Sequence, residues 1–92
     1  MALASSNPAN ALKSKVTLTF SAENLPNLDK GSKSDPLLVI WQEKNGHRIY
    51  LGQTEAQQDT LNPVWVAPID VDYFFEQSQT MIVAIYDVDD AT

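Results

Sequence analysis

An all-β fold, an antiparallel sandwich or barrel, is what this sequence predicts, and three observations carry it. Short apolar stretches recur at strand length, clusters of turn-forming residues separate them, and no stretch sustains a 3.6-residue apolar period. Residues 16–22, VTLTFSA, place Val16, Leu18 and Phe20 on one face and Thr17, Thr19 and Ser21 on the other, as a half-buried strand does. Residues 37–42, LLVIWQ, are an apolar run between Pro36 and the polar EKNGHR, which suits a strand covered on both faces. Asn45-Gly46 predicts a type I′ hairpin returning through 48–54, RIYLGQT, because that turn needs positive φ at both central positions. Residues 64–71, VWVAPIDV, predict another strand, with Pro68 marking an edge or a bulge. The run 80–86, TMIVAIY, has no polar face and predicts an internal strand; only 73–79, YFFEQSQ, has helical potential.

Ninety-two residues leave room for one small domain. Residues 1–14, rich in Ala, Ser and Asn, read as a flexible lead-in, with the domain over 15–92. Twelve Asp and Glu against six Lys and Arg give a net charge of −6, which argues against nucleic acid as a partner. The charge is uneven: residues 1–46 carry five basic and four acidic groups, residues 47–92 one basic and eight acidic. With no Cys there is no disulfide, thiolate site or Cys nucleophile, in keeping with a reducing compartment. No apolar stretch reaches the ~20 residues of a membrane span; the start, without a basic n-region or an apolar h-region, does not read as a signal peptide, and its Met-Ala does not match the Met-Gly of a myristoylation motif. A cytoplasmic location is the expectation, with any membrane contact peripheral.

Two acidic clusters lie where strands end. LPNLDKGSKSDP holds Asp29 and Asp35; YDVDDAT holds Asp87 and Asp89 two apart, so that strand geometry sends both to one side and Asp90 to the other. Gathered carboxylates repel unless a cation neutralises them, and Ca2+ accepts loop carboxylates in flexible geometry. Asp beside Gly, Ser or Pro is equally ordinary turn chemistry, and an EF-hand is excluded by the missing central Gly and closing Glu. Nothing points to an enzyme. His47, the single His, adjoins the Asn45-Gly46 turn, and neither a Gly-x-Ser-x-Gly elbow nor a phosphate-cradling Gly loop is present. The aromatic residues fall mostly in the strand-like runs and read as core.

The order of motifs is more specific than any one of them. An Asp-x5-Asp-Pro loop after the first strand, then Leu61-Asn62-Pro63-Val64-Trp65, then Tyr86-Asp87-Val88-Asp89 after a β run, resembles a C2 domain. Ser32-Lys33-Ser34-Asp35-Pro36, Gly52-Gln53-Thr54-Glu55 and Tyr73-Phe74-Phe75-Glu76-Gln77-Ser78-Gln79 make it most similar to the first C2 domain of a copine. The resemblance covers residues 16–92 and implies an eight-stranded Greek-key sandwich, of which this chain would hold about six strands, cut before the last two. It implies Ca2+ as the ligand, held by Asp29, Asp35, Asp87 and Asp89, with the carbonyls of Leu28 and Val88 and the carboxylate of Asp90 as further candidates. It also implies an anionic phospholipid surface as partner, with Lys30 and Lys33 adding attraction, and peripheral plasma-membrane binding when Ca2+ rises. A Ca2+-independent protein-interaction module using a sheet face or edge stays open as the alternative. Self-association through an open sheet edge is a further expectation.

Overall fold

The Asn45-Gly46 turn forms as predicted, with φ of 53° and 80° at its two central residues. The computed structural model describes residues 13–27 and 34–88 of the chain. Among these are five strands and no helix: β1 (Lys13–Leu18), β2 (Pro36–Lys44), β3 (His47–Gln53), β4 (Ile69–Phe74) and β5 (Thr80–Asp87). That is one strand fewer than the resemblance implies. All pairings are antiparallel, in a two-stranded sheet β1-β4 and a three-stranded sheet ordered β3-β2-β5.

The two sheets meet through alternate residues. Leu38 and Ile40 of β2 pack with Trp65, Ile69 and Val71, and Val16, Leu18, Phe20, Ala22, Leu51 and Met81 close around them. Gly52 is where β3 and the β4 sheet come nearest: a Cβ there would sit 2.9 Å from Ile69 Cγ2. A larger residue would push the sheets apart, so the glycine in the Gly-Gln-Thr-Glu stretch serves sheet packing. Thr54 in the same stretch is buried; its hydroxyl accepts from Leu38 N–H and donates to the Glu55 carbonyl.

The strand predicted over 16–22 is corrected to two pieces with different partners. β1 begins earlier, at Lys13, and pairs with β4 only as far as Leu18 opposite Ile69. The alternation then continues as a single bridge between Ser21 and Val64, flanked by Trp65 N–H to Phe20 O and Ala22 N–H to Pro63 O. From one pairing to the next the chain advances three residues on the β1 side and five on the other. The two extra residues form a bulge at 66–68, so the run 64–71 becomes a regular strand only from Ile69. The cause is chemical. Pro68 has no N–H to give, and the N–H groups of Val66 and Ala67 are taken by the Glu55 carboxylate at 2.7 and 3.1 Å.

The stretch 73–79 is corrected from a candidate helix to a strand end and a turn. β4 runs through Tyr73 and Phe74, and Glu76 turns the chain at φ 60°. Gln79 stabilises the turn by standing in for a strand partner: its amide oxygen accepts from Phe74 N–H, and its NH2 donates to Asp72 O. A helix over these residues would forfeit both bonds. β5, expected to be internal, lies at the end of its sheet among the described residues. Met81 reaches the core, while Val83 and Ile85, in register with buried Ile40 and Leu38, stay 46% and 39% exposed. The facing sheet has two described strands against three in this one.

Candidate metal site

One end of the β2–β5 ladder builds the site. Pro36 pairs with Asp87, so the residue entering β2, Asp35, is brought against the last residue of β5. The Asp35 N–H donates to Asp87 Oδ1 at 2.9 Å, and Val88 N–H donates to the Asp35 carbonyl at 3.0 Å. Two residues 52 positions apart in sequence are thereby joined, the backbone of Asp35 to the carboxylate of Asp87. Each is anchored through one oxygen, since Asp35 Oδ1 accepts from Asp59 N–H at 2.6 Å. Anchoring through Oδ1 leaves Oδ2 of each as the oxygen suited to a hard cation.

Asp59 is the residue that sequence reasoning missed. It sits in the turn before the Leu-Asn-Pro-Val-Trp motif, with φ 55°, and its backbone holds Asp35 in place. The polar cluster Gln57-Gln58-Asp59-Thr60 marks a turn, but nothing local says against which strand that turn folds.

The segment 54–67 that carries Asp59 is pinned along its length. Gln57 N–H donates to Pro36 O and Thr60 N–H to Ser34 O. Trp65, 2% exposed, donates its indole N–H to Pro36 O at 3.0 Å. Glu55 staples the far end. Its carboxyl is lowered to about 2, first by the Val66 N–H, then by the Ala67 N–H, with Gln57 Nε2 a lesser donor. Hydrogen bonds to the charged form favour it.

Asp35, Asp87 and Val88 are therefore brought together at one end of the β2–β5 ladder. Asp29, Asp89, Asp90, Leu28, Lys30 and Lys33 lie outside the described residues. Among the described residues no three His, Cys, Asp or Glu side chains form a metal cage. Two carboxylates fall short of the roughly 6–8 oxygens that Ca2+ takes, so Asp35 and Asp87 fit as part of a Ca2+ shell, not the whole of it. His47 lies exposed at the other end of the β2–β3 hairpin, opposite Lys44.

The chain has clear relatives among known proteins. The family model of the C2 domain matches residues 14–92. Copine-B of Dictyostelium discoideum is 37% identical over 84 residues, taking in 89% of this chain and 16% of that protein. Protein BONZAI 1 of Arabidopsis thaliana is 41% identical over 81 residues, with 87% of this chain and 14% of its own length covered. Nicotinic receptor-associated protein 1 of Caenorhabditis elegans is 34% identical over 97 residues, 87% of this chain and 15% of that protein. The chain thus spans only about a seventh of the length of these relatives.

Proposed function

The chain belongs to the C2 domain family, whose members are binding modules that generally engage Ca2+ and phospholipid, and on that premise we propose that it is a Ca2+-dependent phospholipid-binding module that recruits its parent protein to membranes. The observation that carries this reading is the β2–β5 ladder seating Asp35 against Asp87, with both carboxylates fixed through Oδ1 by backbone N–H groups. In the proposed site Asp29 and Asp89 complete a set of four carboxylates, with Asp90 and the Leu28 and Val88 carbonyls as further oxygens. Without metal, four negative charges at one tip repel an anionic leaflet. Ca2+ cancels that charge and offers open coordination positions to lipid phosphate or carboxylate oxygens. Lys30 and Lys33 add about 1 kcal/mol each near an anionic surface. The module so described is cytoplasmic and moves to the plasma membrane when Ca2+ rises.

Calorimetric Ca2+ titration, with and without phosphatidylserine vesicles, tests the reading. Asp87→Asn weakens Ca2+ binding far more than Asp70→Asn or Asp72→Asn, whose side chains bond Thr17 and Lys13 away from the site. Equal effects at all three positions would remove the assignment. A second reading, a Ca2+-independent protein-interaction module, is favoured by the exposed Val83, Ile85 and Tyr86 on β5. It predicts partner binding that survives EGTA, whereas vesicle binding through the metal site does not.

A further inference from the structure

The turn that holds Asp35 is itself held from behind. Asp59 and Thr60 bond the entry to β2, Asp59 N–H donating to Asp35 Oδ1 and Thr60 N–H to Ser34 O. The backbone of residues 61–65, which follow, bonds residues 20–25 instead. Trp65 N–H donates to Phe20 O, Ala22 N–H to Pro63 O and Leu25 N–H to Leu61 O. Continued regularly, that antiparallel pairing would give Leu61 O to Asn24 N–H, two residues on from Ala22. Leu25 N–H takes it, so residues 22–25 carry one residue more than their partner, as in a β-bulge. Asn24, at φ 57°, is the extra residue, and its displaced N–H is received at 2.9 Å by Asn62 Oδ1.

Asn62 is thus held through its side chain and through its backbone. Its own N–H donates to Thr60 Oγ1 at 3.0 Å, which closes the turn. Pro63 behind it is fully buried and restricts Asn62 to extended backbone. The path from Asn62 to the carboxylate is short: Thr60 hydroxyl, the turn, then the adjoining Asp59 N–H on Asp35 Oδ1. We propose that Asn62, acting through Thr60, is a positioning residue of the Ca2+ site that fixes the orientation of the Asp35 carboxylate. The inference rests on the reading of Asp35 as a Ca2+ ligand. A turn free to shift lets Asp35 sample several orientations, and ordering it as the ion binds weakens binding. Anchored by Asn62, the turn presents the carboxylate already oriented. Asn62 is exposed, so truncating its side chain removes the bond to Asn24 without hollowing the core.

Calorimetric Ca2+ titration of variants of the 92-residue chain tests this, with thermal melting and amide exchange alongside. Asn62→Ala and Thr60→Val are each expected to weaken Ca2+ binding roughly three- to ten-fold, the equivalent of one net hydrogen bond, and to speed exchange at the Asp59 amide. Thr60→Ser keeps the hydroxyl acceptor and retains the affinity. Gln79→Ala removes two bonds at the opposite end of the sheets, lowers the melting temperature by at least as much, and leaves Ca2+ binding unchanged. Unweakened binding in Asn62→Ala, an equal loss in Gln79→Ala, or Thr60→Ser as damaging as Thr60→Val would overturn the proposal and leave the metal reading standing. An unaltered chain that binds no Ca2+ would overturn both.

Discussion

Segment 54–67 and strand β5 flank the same stretch of chain, residues 34–38, and satisfy their backbones in opposite ways. The segment has almost no regular structure, yet Thr54, Gln57 and Thr60 donate to the carbonyls of Leu38, Pro36 and Ser34, and the Glu55 side chain caps Val66 and Ala67. β5 is fully regular, and among the described residues its ladder bonds run to β2. Regular structure and being held in place are therefore separable. A loop can thus be held by many specific bonds, from its backbone N–H groups and from a side chain, without forming a regular element. The candidate metal site lies where the two meet, with Asp35 gripped by the loop and Asp87 supplied by the strand.

The contrast is broken most severely at Trp65, whose ring fills the core and whose indole N–H ties the loop to Pro36. Trp65→Ala is expected to cost about 3–5 kcal/mol, enough to unfold a domain this small, as read by urea denaturation. Glu55→Gln comes next, and its signature is pH dependence. The folded carboxyl is held at about 2 against an ordinary 4.5, so its stabilisation is complete above pH 4.5 and is lost as pH falls toward 2. The variant should show a shallower loss of stability across that window; an unchanged acid limb would mean that Glu55 does not staple the loop. Gln79→Ala removes two bonds to the β4 backbone, for an expected loss of about 1–2 kcal/mol with faster amide exchange at Phe74. The smallest effect is at Thr17, whose hydroxyl bonds Asp70 on an exposed face; Thr17→Val should change stability by no more than about 0.5 kcal/mol.

Legibility in the sequence follows how local each determinant is. The hairpin of β2 and β3 and the strand β5 are readable because alternation, an apolar run and an Asn-Gly turn are encoded within a few residues. The break between β1 and the Ser21–Val64 bridge is not readable. Pro68 signals an irregularity, but the acceptor that replaces the missing strand partner is Glu55, more than ten residues upstream. Gln79 likewise hides its role, since a side-chain amide substituting for a strand looks like any polar residue after a turn. Within the site, Asp35 and Asp87 are legible because motif order anticipates the ladder that joins them. Asp59 is not, because its backbone reaches Asp35 only once segment 54–67 has folded against β2.

The proposed function requires Asp35 and Asp87 to receive the cation at the shared end of β2 and β5. Amide chemical shifts followed through a Ca2+ titration read this directly. Saturable shifts are expected at Asp35, Asp59 and Val88, whose N–H groups belong to the bonds that hold the two carboxylates. Lys44, Asn45 and His47, at the opposite end of the hairpin, should stay still. No saturable change at Asp35 and Val88, or changes as large at the Asn45 turn, would contradict it.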